Sequence, residues 1–177
     1  MSGRARPGGQ GIPHIALVSS DWEDRNRLID SILARVKVRW DGATIMSAQP
    51  AEDAKFFNRK ARIQARRLRL PPSTYDVREI LSRNPDPSDE ILSTFKAARR
   101  NSPPGFPPLI IGDWAHLSYD DFDAVLNTER KVEEASLTAI CCYRQEGFYS
   151  LDPKQIIGVF ETHRQTLLGS ATFRPND

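Results

Sequence analysis

HIALVSSDWEDRNRLIDSILARV, His14 to Val36, changes its period halfway along. The first six residues form an apolar run with Ile and Val, the pattern of a strand covered on both faces. After Ser20 and Asp21 the residues Trp22, Leu28, Ile29, Ile32, Leu33 and Val36 fall at helical spacings, and either Ser20 or Asp21 suits the cap of the first turn. A buried strand that runs straight into an amphipathic helix is the opening of an α/β fold.

The same alternation continues downstream. Ala43–Ala48 reads as a strand after the turn pair Asp41-Gly42, and Pro50–Ala61 as a helix. Arg66–Leu70 reads as a strand with Arg66, Leu68 and Leu70 on one face. Beyond Pro71-Pro72 the pattern predicts a short helix over Tyr75–Leu81, then a stop and new cap in NPDPSDE before a helix over Asp89–Arg100. The run NSPPGFPP, Asn101–Pro108, reads as a surface loop or hinge. Leu109–Gly112 and Leu137–Tyr143 have the composition of buried strands, and Asp120–Ala135 that of a helix between them. Asp152-Pro153 opens a helix to about His163, since Pro fits the first helical position, and a last strand lies within Gln165–Phe173. Strands separated by helices of this length predict a three-layer α/β sandwich, its mostly parallel central sheet flanked by helices.

A chain of 177 residues, 39% hydrophobic and 27% charged, suits one globular domain with a core of useful size. The Gly- and Arg-rich residues 1–11 read as a disordered tail, and residues 12–177 as the single domain. A net charge of +2 gives no overall field that would demand nucleic acid or membrane. With no apolar run of about 18 residues and no hydrophobic leader near the start, the expectation is a cytoplasmic protein that does not enter a membrane. Cys141 and Cys142 are sequence neighbours in a strand, point to opposite faces and are expected to stay reduced.

In an open parallel sheet, ligands collect beyond the carboxyl ends of the strands. Those ends are Ser19, Ser20 and Asp21 after the first strand, Asp113 and Trp114 after the central one, and Tyr143 and Arg144 after a later one. Asp113, at the end of LIIGD, has the position of the metal-holding acid of a nucleotide hydrolase, but it also suits a capped turn. Nothing resembles the phosphate loop GxxxxGK[ST], and the first turn, SSDWED, puts acids where a phosphate needs backbone donors and a lysine. Those features argue against ATP hydrolysis by that route, and a residual nucleotide hydrolase is the least favoured reading. His14, His116 and His163 are far apart in sequence and no Cys or His pair has ligand spacing, so neither metal nor cofactor is expected. Lys55–Arg69 holds seven basic residues and no acid: Lys55, Arg59, Lys60, Arg62, Arg66, Arg67 and Arg69. A solvated helix face followed by a guarded edge strand is the favoured reading; a nucleic-acid contact is the alternative.

Three segments together resemble a known family. HIALVS followed by an acidic turn, GDWAHLSYDDFDAVLNTERKVEE, and LTAICCYRQEGF with DPKQIIGVFETH behind it are similar to the MEDS sensory domain of methanogen and methylotroph regulators. The matching positions are His14, Gly112 with Asp113 and Trp114, Asn127 and Glu129, Cys141 with Tyr143, Phe148, and Thr162 with His163. They span about His14 to Leu168, and their order and spacing carry the likeness. The resemblance implies a RecA-like fold without a phosphate loop and a sensory role, often beside a DNA-binding, kinase or PAS module. Here Asp113 stands where the family more often has Glu, and no helix-turn-helix or kinase segment is read within these 177 residues.

The expectation is therefore a non-enzymatic sensory or signalling domain. It would bind a small molecule or a regulatory protein through Ser19, Ser20, Asp113, Trp114, Glu129, Tyr143, Arg144 and Phe148 and pass the result to a transcription or kinase output. Self-association or a partner chain would supply that output.

Overall fold

A computed structural model describes residues 13–35, 43–47, 49–65, 73–84, 86–101, 109–114 and 122–169. Strand β1 is Ile15–Ser19, buried throughout, and helix α1 is Trp22–Arg35. They are followed by β2 (Thr44–Ser47), α2 (Pro50–Ala65), β3 (Ser73–Asp76), α3 (Val77–Arg83) and α4 (Ser88–Asn101). The second half comprises β4 (Ile110–Asp113), α5 (Phe122–Glu134), β5 (Ile140–Arg144), α6 (Gln145–Tyr149), α7 (Pro153–Thr162) and β6 (Gln165–Leu168).

The six strands form one sheet in the order β3-β2-β4-β5-β1-β6, with every neighbouring pair parallel. Parallel neighbours need crossovers, which the helices supply. Because the four central strands, β2, β4, β5 and β1, are covered on both sides, their successive residues enter different cores. Ile15, Leu17, Ile45, Ile111, Ile140 and Cys142 pack with Ile29, Ile32 and Leu33 of α1 and with Phe56 of α2. Ala16, Val18, Met46, Ile110, Cys141 and Tyr143 pack with α3, α4, α5 and α7 through Ile80, Phe95, Leu126 and Val159. The chain is thus the three-layer, RecA-like α/β sandwich expected, with an all-parallel sheet.

Two local readings change. The strand after α2 is Ser73–Asp76, in register with Thr44–Ser47, so the helix expected from Tyr75 begins only at Val77. Asp76 explains the boundary: it ends the strand and its side chain accepts from the backbone N–H of Arg78, capping the first turn of α3. The strand expected over Arg66–Leu70 lies outside the described residues, as do the 1–11 tail and most of the Asn101–Pro108 run. Helix α6, five residues directly after β5, was not anticipated and brings Phe148 into the core. Helix α7 starts as expected, with a capping box formed by Asp152 and Gln155 around Pro153. Among the described residues no helix is long and apolar enough to cross a membrane.

Candidate functional site

Two constellations of buried charge lie on opposite faces of the sheet. On the α1/α2 face, at the carboxyl ends of the strands, Arg25 is almost fully buried between Asp113, the last residue of β4, and Asp53, in the first turn of α2. Its Nη1 donates to Asp113 Oδ2, and its Nη2 donates to Asp53 Oδ1 and to Asn26 Oδ1. The Trp22 ring covers the guanidinium, 3.5 Å from its centre. Burial opposes charge on Arg25, but Asp113 and Asp53 outweigh it and hold the guanidinium above its ordinary pKa. Asp113 is therefore one jaw of a clamp on an arginine. In α1, Arg25 sits four residues before Ile29 on the helix's core-facing stripe.

On the α5/α7 face, Glu129 lies in the buried stripe of α5 with Phe122, Val125, Leu126 and Val132. One carboxylate oxygen, Oε1, accepts from Trp114 Nε1 at 2.5 Å and from Tyr143 Oη at 3.2 Å. The other, Oε2, meets His14 Nε2 at 2.7 Å, Cys141 Sγ at 3.2 Å and His163 Nε2 at 3.4 Å. Cys141 Sγ is also 3.4 Å from His14 Nε2, and the two imidazole rings lie 4.1 Å apart. One ligand atom each from His14, Glu129, Cys141 and His163 can be chosen so that all lie within 4.8 Å of one another, and all four residues are buried.

The environment sets the protonation of this cluster. Burial works against ionised Glu129, yet the hydrogen bond from His14 and the nearness of His163 hold its carboxyl well below the usual range. Burial also works against a charged His14, but Glu129 outweighs it and raises the imidazole. Burial first, then Glu129, push the Cys141 thiol and the Tyr143 phenol well up. Cys142, on the other face, is pushed up by burial, and both cysteines are free thiols.

The backbone explains why Trp114 reaches Glu129. Its N–H donates to Cys142 O at 2.8 Å, carrying the β4–β5 ladder one residue beyond Asp113. Its ring lies over Gly112, where an added Cβ would be 2.7 Å from the indole. The glycine is what lets the ring lie flat against the strand.

The eight residues expected to bind a ligand are divided by this arrangement. Trp114, Glu129, Tyr143 and Phe148 come together, with Tyr143 and Phe148 ring centres 5.9 Å apart. Asp113 and Ser19 lie at the strand ends, with Ser19 Oγ donating to Tyr143 O at 3.5 Å. Ser20 is part-exposed and bonds Asp24, while Arg144 is exposed. Sequence spacing did not show His14, Cys141 and His163 as companions, because the fold brings them from the entry to β1, from β5 and from the end of α7. The same positions do carry the family resemblance, and most of those positions meet in this one cluster. Arg25 and Asp53 were missed altogether. The available signal was a charged residue in the apolar stripe of a helix, which α1 shows at Arg25 and α5 at Glu129.

Of the basic segment, Lys55 and Arg59 are exposed on α2, and Lys55 pairs with Glu52 at 2.8 Å. The side chains of Lys60 and Arg62, and all of Arg66, Arg67 and Arg69, lie outside the described residues. No family model matches the chain, and no curated protein matches it.

Proposed function

We propose that this chain is a non-enzymatic sensory domain that recognises a small molecule or a regulatory protein and regulates a transcription or kinase output. The observation that carries the reading is the clamp: the acid at the end of β4, where a nucleotide hydrolase would hold its metal, is engaged by the buried Arg25. The turn after β1 also lacks the glycines and lysine of a phosphate loop. A site stripped of both parts is suited to recognition.

In this reading the ligand is met beside Trp114, Tyr143 and Phe148, with Ser19 and Asp113 at the strand ends, Ser20 and Arg144 at the rim, and Glu129 beneath. Its effect travels through aromatic packing. Phe148 touches Tyr143 on the buried side, and Phe160 and Tyr149 on the other, with ring centres at 6.1 and 5.8 Å. Phe160 and Tyr149 are about half exposed, as is Ile157, and offer an apolar surface to a second copy or an output chain. A ligand that prefers one arrangement of Tyr143 and Phe148 would thereby alter that surface.

The reading is tested with Mg-ATP and a panel of small neutral compounds, by turnover and by hydrogen exchange. The expected result is no ATP turnover, and changed exchange in α6 and around β4 with at least one compound. Turnover that stays with the purified chain and vanishes in Asp113→Asn overturns it. A nucleic-acid role would instead give affinity that falls steeply with salt and is abolished when Arg62, Arg66 and Arg67 become Ala.

A further inference from the structure

We propose that His14, Glu129, Cys141 and His163 form a closed site for one zinc ion inside the core. The inference shares Glu129 with the sensory reading but does not rest on it, since it is carried by the donor set and its geometry.

The first argument is distance. In a tetrahedral zinc site with imidazole, carboxylate and thiolate ligands, bond lengths of about 2.0–2.3 Å place the donor atoms roughly 3.3–3.7 Å from one another. Here Cys141 Sγ is 3.2 Å from Glu129 Oε2 and 3.4 Å from His14 Nε2, and His163 Nε2 is 3.4 Å from Glu129 Oε2. The shorter His14–Glu129 separation, 2.7 Å, is that of a hydrogen bond. It would open when a metal replaces the shared proton.

The second argument is an unpartnered nitrogen. His163 Nδ1 is 2.7 Å from the backbone carbonyl of Val159, so it must carry the proton and donate it. In the neutral ring, Nε2 then points a lone pair at the cluster. It is buried, has no hydrogen-bond partner and faces a carboxylate oxygen at 3.4 Å. A positive centre, either a second proton on His163 or a metal ion, joins the two, and a metal ion is the one that also engages Cys141 and His14.

The third argument is the outer shell. Metal-binding histidines commonly hand their second N–H to a carbonyl or carboxylate, which fixes the ring. His163 does so with Val159; His14 Nδ1 makes no hydrogen bond, and Glu133 Oε2, 3.5 Å away, is the carboxylate nearest to it for that role. Glu129 is steadied in the same way, because Trp114 and Tyr143 occupy Oε1 and leave Oε2 as a single-oxygen ligand.

The charges also balance. A dication with one thiolate, one carboxylate and two neutral imidazoles has no net charge, which suits a site without water. Binding releases the Cys141 thiol proton and the proton held between His14 and Glu129. With four protein ligands the site is closed, so its metal ties the residue before β1 to β5, α5 and the end of α7 and leaves no open coordination position.

Burial means the ion must enter as the chain folds. The full chain is unfolded with chelator and refolded with Zn2+ or Co2+. The expected result is one metal per chain, with cobalt showing tetrahedral bands and a thiolate-to-metal absorption. That absorption disappears in Cys141→Ser and persists in Cys142→Ser. X-ray absorption of the wild-type zinc form needs no variant: one sulfur at about 2.3 Å and three nitrogen or oxygen ligands at about 2.0–2.2 Å are expected. Refolded wild type without stoichiometric metal, a thiolate band that follows Cys142, or zinc without sulfur would each overturn the proposal.

Discussion

The two sides of the sheet bury charge in different ways. On the α1/α2 side the guanidinium of Arg25 meets the carboxylates of Asp53 and Asp113, so strong donors face strong acceptors. On the α5/α7 side one carboxylate, Glu129, is asked to satisfy an indole, a phenol, a thiol and an imidazole, and still lies 3.4 Å from the unpartnered Nε2 of a second imidazole. The first is an ion-pair motif made by protein alone, in which both terminal nitrogens of the guanidinium are engaged and only Nε has no partner. The second has the donors of a metal site and a place where a positive centre belongs. What separates them is the match between donors and acceptors, since both are equally buried.

The clamp should give the largest effect. Arg25→Met leaves two carboxylates in the core without their shared partner, and breaking a buried pair in this way costs about 3–5 kcal/mol. Urea unfolding should show that loss. Combining Arg25→Met with Asp53→Asn and Asp113→Asn removes the stranded charge and should recover much of it. If the single variant is as stable as wild type, the clamp is not the structural device described.

The opposite cluster should respond most to a change that touches none of its donors. Gly112→Ala places a methyl 2.7 Å from the Trp114 ring, which is packed in the core and bonded to Glu129. The indole must tilt away, at a cost of about 1–3 kcal/mol for overpacking. Its side-chain N–H resonance should shift with the loss of the bond. An unchanged resonance would mean that the ring can move without releasing Glu129. Tyr143→Phe removes the other donor to Oε1 and should cost less, about 0.5–1.5 kcal/mol, because Trp114 still holds that oxygen.

Much of the framework was legible because each element obeys a local rule. HIALVS is a strand because both its faces are covered, and the stripe of Ile29, Ile32 and Leu33 makes α1 a helix against one of them. Asp152-Pro153 marks the start of α7 through a capping box. The reading failed at Ser73–Asp76, a four-residue strand whose main support is its pairing with Thr44–Ser47, which no local pattern displays. The sites were harder for the same reason. His14 and Glu129 are 115 residues apart in sequence, and Arg25 and Asp113 are 88 apart. Periodicity shows that Arg25 and Glu129 point inward, and a charged side chain that points inward needs a partner. It does not say which partner, because that depends on the strand order. The β4–β5–β1 adjacency brings Cys141 beside Ala16 and Asp113 beside Cys142, and it is settled only by the folded sheet.

A surface carboxylate gives the scale against which both buried sites should be judged. Asp86 accepts from the backbone N–H and hydroxyl of Ser88 at the start of α4, and Asn127 of α5 lies 3.4 Å from its oxygens. The hydrogen bonds from Ser88 hold its pKa below the ordinary aspartate value. A lowered folded-state pKa adds stability that is present above the unfolded value, about 3.9, and is lost as the pH falls below it. Asp86→Asn should therefore lower stability slightly at neutral pH and make no further difference in strong acid, where wild type has lost the same contribution. Being exposed, Asp86 should give the smallest change of the series. A drop at neutral pH as large as that of Arg25→Met would mean that burial is not what sets the energetic weight of charge in this fold.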